Sequence, residues 1–167
     1  MPSFSFGRNH KKGMSIVELV VVMAFFLILS GTITVNLLGL QQRTTLSSSL
    51  TTLINDIKSQ QLKAQTGDAQ GGTSDGNFGI YFESTKYTLF NGSVYNQSDP
   101  SNLVINLGEN ITFPNISFPL GSLVFIKGSG EISGFTPGSD TIVIRNTASN
   151  EQNTIMLNRY GVITSVN

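Results

Sequence analysis

Between Leu19 and Gln42 the chain carries no charged side chain, and most of the residues up to Leu40 are apolar. At roughly 1.5 Å rise per residue, a helix of that length crosses a hydrocarbon core of about 30 Å, so the stretch predicts a membrane-spanning segment. Glu18 stands just ahead of it. An unpaired carboxylate there costs on the order of 3 kcal/mol to place in lipid, which makes a counter-charge the first thing to look for. The basic run Arg8, His10, Lys11 and Lys12 ends at Gly13. A cut between Gly13 and Met14 would create an α-amino group at the depth of Glu18. The alternative is a carboxylate that snorkels to the interface without a partner. A conventional secretory peptide fits poorly, because Ile28-Leu29-Ser30-Gly31 offers no A-x-A-like cleavage site.

The coincidence of basic leader, Gly13, Met14, Glu18 at fixed spacing and the apolar run resembles the class III signal of type IV prepilins and pseudopilins. That resemblance implies a leader of residues 1–13 removed by a prepilin peptidase after Gly13. It also implies N-methylation of Met14 and a Glu18 that pairs with the Met14 amine of a neighbouring subunit, or with its own. Phe is the commoner residue after the cut, and Met14 stands in its place.

Three of the ten basic residues, Arg8, Lys11 and Lys12, fall in the leader, which leaves seven against ten acidic residues in the mature chain. Such a balance does not advertise nucleic acid, whereas the basic leader predicts a cytoplasmic N-terminus and a head sent outward. The chain has no cysteine, which excludes a disulfide frame and thiolate chemistry. Many major pilins close a C-terminal loop with a disulfide, so its absence favours a minor subunit.

Residues 14–40 are predicted as a transmembrane or filament-core helix, with Gly31, Thr32, Thr34 and Gly39 as weak helix formers. Over 41–66 the pattern changes. Leu46, Leu50, Leu53, Ile54 and Ile57 recur at three- and four-residue intervals between polar residues, which predicts an amphipathic helix covering a sheet and ending near Ala64. Gly67 ends it, and Asp68–Asn77 reads as a Gly-rich loop. Residues 67–167 form the head. Its predicted strands are 78–83, 86–90, 103–107, 110–113, 123–127, 131–133, 141–145, 154–158 and 162–166, separated by turn formers such as Pro114-Asn115 and Pro137-Gly138. Strands at such short intervals predict an antiparallel sheet structure. Phe78, Tyr81, Phe82, Tyr87, Phe90, Phe113, Phe118 and Phe125 are its expected core.

The Gly-Ile-Tyr-Phe hairpin and the terminal series Thr-Ile-Val-Ile, Thr-Ile-Met-Leu and Gly-Val-Ile resemble minor pseudopilins of the GspH/FimT type. The implied fold is α+β: a long N-terminal helix, half membrane-spanning and half amphipathic, packed on an antiparallel β-sandwich-like head, the pilin fold. The lone histidine, His10, lies in the leader, and no G-x-S-x-G elbow or S-x-x-K pairing stands out, so catalysis and a cofactor are not expected. Asp68, Asp75 and Asn77 supply oxygen ligands for Ca²⁺ in principle but do not match an EF-hand, and a solvated loop is the reading adopted. Some FimT-like minor pilins bind DNA through C-terminal basic residues. Lys127, Arg145 and Arg159 are the candidates here, although the chain ends without a basic tail.

The expected role is a structural minor pilin or pseudopilin of a type IV pilus-like or type II secretion filament. Its implied partners are other pilin subunits, the prepilin peptidase, an inner-membrane assembly platform and the membrane itself. The expected location is a single pass through the cytoplasmic membrane, then a cell-surface or periplasmic filament. The alternatives are a DNA-binding minor pilin of competence and a major pilin.

Overall fold

The computed structural model describes residues 15–67 and 76–167, without the side chains of residues 31–44. Among these residues the protein is α+β, with two helical segments and two antiparallel sheets. Helix α1 spans Ile16–Thr66, and the second helical segment is a single 3₁₀ turn at Pro119–Gly121. The chain divides into two compact units, residues 1–38 and 39–167, and α1 contributes to both.

One expectation is overturned. Among the described residues no helix is long and apolar enough to cross a membrane. The transmembrane assignment and the single-pass placement in the cytoplasmic membrane are corrected accordingly.

In the second unit α1 folds as its spacing demands. Leu46, Leu53, Ile57 and Ala64 lie on one stripe and are buried, with Leu50 and Ile54 packed beside them. Eight strands follow: β1 (Phe78–Phe82), β2 (Lys86–Asn91), β3 (Leu103–Asn106), β4 (Ile111–Ile116), β5 (Ser122–Phe125), β6 (Thr141–Asn146), β7 (Gln152–Leu157) and β8 (Ile163–Val166). They form two four-stranded sheets, ordered β3-β2-β1-β5 and β4-β6-β7-β8. Every pairing is antiparallel. One continuous core joins the helical stripe to Ile80, Leu123 and Phe125 of the first sheet and to Ile142, Ile144, Ile155 and Leu157 of the second. Phe113 of β4 contributes edge-on aromatic contacts to it, 5.3 Å from Phe82 and 6.2 Å from Tyr87 between ring centroids.

Two aromatic residues depart from the expected core. The period-2 alternation of β1 turns Phe78, Ile80 and Phe82 toward the helix and Gly79 and Tyr81 to the opposite face. Phe90, paired with Gly79, lays its ring where a Cβ on Gly79 would stand, only 2.4 Å from the ring's Cζ. Tyr95 closes this outer patch by stacking on Tyr81 at 4.1 Å. Phe90 is therefore buried outside the main core, and Tyr81 is only half-buried.

Two strand expectations also change. Segment 131–133 makes a single bridge, Ile132 to Phe125, because glycines 128, 130 and 134, all at positive φ, leave too few extended residues for a ladder. Pro114, expected in a turn, instead lies inside β4. That strand is a sheet edge with a register shift between Thr112 and Asn115, where a missing N–H costs no ladder bond.

Polar contacts pin α1 to the sheets. The Gln61 amide donates to the carbonyls of Gly130 (3.1 Å) and Tyr160 (2.7 Å), and the Gly128 N–H reaches the Ala64 carbonyl at 2.8 Å. The hydroxyl of Tyr87, 1 % exposed, donates to Asp56 Oδ2 at 2.5 Å. Burial first, and then the Asp56 hydrogen bond and charge, push the Tyr87 hydroxyl far above its ordinary value of 10.0. A raised pKa in the folded state means that this contribution to stability is complete below the unfolded value near 10 and declines as pH rises past it. Replacing Tyr87→Phe should cost about 1.5 kcal/mol at neutral pH. It should also make the melting temperature less sensitive to alkali: between pH 9 and 11, at about the unfolded titration, wild type should lose more than the variant. Equal losses in thermal melts across that range would refute the assignment.

Candidate functional site

Glu18 occupies the first turn of α1, where the opening hydrogen bond runs from the Leu19 N–H to the Ser15 carbonyl at 3.1 Å. Ser15 precedes the helix and Glu18 follows three residues later, which is the spacing of a capping box. A carboxylate in that turn is also favoured by the partial positive charge of the exposed helix N–H groups. Glu18 thus has a local reason to be tolerated as well as any intersubunit one. The signal was readable in the sequence as S-x-x-E ahead of an apolar run.

Around and beyond Glu18 the helix presents an unusual surface. Ile16 (82 % exposed), Val17, Leu19 to Met23 and Phe25 to Leu29 (Leu27 75 %) are all exposed large apolar residues. They are consecutive rather than spaced at three and four, so they surround the helix instead of forming one stripe. Scattered apolar residues on a surface need no explanation, but a contiguous sleeve of this kind marks an interaction surface. Gly13, Met14 and the basic leader residues Arg8, Lys11 and Lys12 lie outside the described residues, as do His10, Asp68 and Asp75. Asn77 is described, and it works as a structural bridge. Its side-chain amide donates to the Ser93 hydroxyl at 2.6 Å, and its Oδ1 accepts from the Lys127 backbone N–H at 2.8 Å.

The basic residues proposed for DNA are not gathered into one stripe. Arg159 forms an ion pair with Glu131 at 3.2 Å, which offsets its charge. Arg145 is tied to Asn150 Oδ1 across the β6–β7 turn. Gln152 faces Arg145 and Met156 faces Thr141, so the strand length between the Arg145 end of sheet two and the end leading to Arg159 is about 13 Å. Lys127 sits apart from Arg145 on the loop after β5, its stem against Gly76. Neutralising several phosphates together requires charges that act on one track, which this arrangement does not supply. Asp99 has a carboxyl held below its usual range by the Ser101 hydroxyl and N–H, an exposed local turn rather than a reactive pair.

Simultaneous Lys127→Ala, Arg145→Ala and Arg159→Ala substitution should therefore change retention on a DNA column at low salt by less than about twofold. A loss of tenfold or more, by about the same counter-ion argument, would restore the nucleic-acid reading. No family model matches the chain, and no curated protein or solved structure matches it.

Proposed function

We propose that the chain is a structural subunit of a type IV pilus-like or type II secretion filament, a minor pilin or pseudopilin of the GspH/FimT type with the pilin arrangement of helix and head. The observation that carries this reading is the sleeve of exposed apolar side chains from Ile16 to Leu29, interrupted only by an acid in the first turn. Such a sleeve gains most from being surrounded by helices of its own kind, because each then removes the other's apolar area from water at about 25 cal/mol per Å². Helical packing of many copies supplies that environment on all sides at once.

Inside a bundle of apolar helices the effective dielectric falls, and a carboxylate there must be matched. Removal of residues 1–13 by a prepilin peptidase would expose the Met14 α-amino group as the match for Glu18 of a neighbouring subunit, fixing the axial register as subunits join through an assembly platform. N-methylation at Met14 leaves that amine charged. The role is structural rather than catalytic, and the β head is displayed on the filament surface.

Two substitutions separate the steps. Gly13→Ala should leave the basic extension on the protein, as read by the mass of the intact chain. Glu18→Ala should leave cleavage nearly intact and lower incorporation into sheared filaments by about tenfold or more, since it leaves a buried amine without its partner. A mature chain that still begins with the basic residues when the peptidase is present, or a Glu18→Ala chain that assembles as well as wild type, would remove this assignment.

A further inference from the structure

The two sheets have four edges among the described residues, and three are blunted. β4 carries Pro114 and a register shift. β5 is closed off by the Ile132 bridge and by the Ser133 N–H donating to the Val124 carbonyl at 2.8 Å. β8 pairs with β7 through a register shift between Met156 and Leu157. β3 has none of these devices: Leu103-Val104-Ile105-Asn106 is uncharged, has no proline, and pairs with β2 in unbroken register.

The register identifies which main-chain groups remain open. The Leu107 N–H donates to the Thr85 carbonyl at 3.0 Å, and the pairs Tyr87–Ile105 and Leu89–Leu103 continue that series. Leu103 and Ile105 therefore direct their N–H and C=O toward β2, while those of Val104 and Asn106 point away from the sheet. Leu103 is 59 % and Val104 49 % exposed.

Beside this edge, on its helix-facing side, lies a cavity of about 310 Å³ lined by Gln60 and Lys63 of α1, Asn91 of β2, and Ser101 and Leu103. Gln60 is only 2 % exposed, yet its Oε1 has no hydrogen-bond partner, and neither has the buried Oδ1 of Asn91. Buried carbonyl oxygens left unpaired carry a desolvation cost, so two of them lining one cavity form a site with unused acceptors that calls for a donor.

We propose that β3 and this cavity together bind an extended peptide segment of a partner protein, which adds as a fifth strand to the first sheet and places one amide side chain in the cavity, its NH₂ donating to the open oxygen of Gln60 or Asn91 and its oxygen accepting from Lys63. Main-chain bonds to Val104 and Asn106 provide the affinity, and the cavity selects the side chain. A residue placed opposite Leu103 shares its face of the sheet, which is the face that lines the cavity. This inference rests on residues 39–167 alone and is independent of the filament reading.

The test uses the full chain and a fluorescein-labelled seven-residue peptide alternating Thr and Val with Gln at its centre, read by fluorescence anisotropy. Central Gln should bind at least about tenfold more tightly than central Leu, which fills the space but makes no hydrogen bond. Methylating the backbone nitrogens of the third and fifth residues, which face β3, should weaken binding by about tenfold or more, whereas methylation of the second and sixth should not. Lys63→Met should reduce the preference for Gln over Leu. Val104→Pro, which removes an outward N–H and no ladder bond, should abolish binding while circular dichroism stays unchanged. Equal effects of the two methylation patterns, no binding of any peptide, or dimerisation of the chain through β3 would overturn the proposal, the last by assigning the edge to a second copy.

Discussion

A helix can satisfy its own backbone, but it cannot bury its own side chains, and that limit governs this protein. In residues 39–167 the requirement is met from within. Leu53, Ile57 and Ala64 are removed from water by two sheets that would otherwise expose Ile80, Phe125, Ile144 and Ile155 on their inner faces. Neither sheet is wide enough to close on itself, so the helical stripe belongs to the core rather than being an addition to it. The half-buried Tyr87–Asp56 bond and the two carbonyls held by Gln61 then select one seating of the helix among the many that apolar contact alone would allow.

The first part of the same helix is the opposite case. Ile16 to Leu29 bring no charge but Glu18, and among the described residues their side chains are exposed. Free energy of that kind is held in reserve for association. A structural subunit of a repeating assembly needs that combination: a head that folds alone and a segment that is satisfied only by others. The family reading rests on that division of labour together with the residue spacing around Gly13.

Much of the head was legible because its signals are local. Alternation located eight of nine expected strands, and the 46, 50, 53, 54, 57 spacing located the buried stripe of α1. What was not legible depends on partners distant in sequence. Tyr81 and Phe90 look like core residues by composition, yet parity along β1 and β2 sends both to the outer face, where Gly79 makes room for the Phe90 ring and Tyr95 returns to cover it. Pro114 reads as a turn until its strand proves to be an edge. The membrane-spanning expectation was read from composition over residues 19–42, and the described helix does not carry it. The three basic residues were grouped by type, whereas position is what a polyanion detects, and the fold separates them.

Edges are where a small two-sheet protein decides what it will bind. An exposed strand with its hydrogen-bonding groups open is a hazard, and the other three edges among the described residues show how readily a proline, a bridge or a register shift blunts it. Leaving β3 uncharged and regular therefore has a cost in aggregation that a single added lysine would reduce. The cost is easier to understand beside the adjoining cavity, since unpaired amide oxygens at Gln60 and Asn91 lower stability in the isolated protein for no structural return. Two local deficits that share one location and can be relieved by one occupant have a simpler physical account than two unrelated defects.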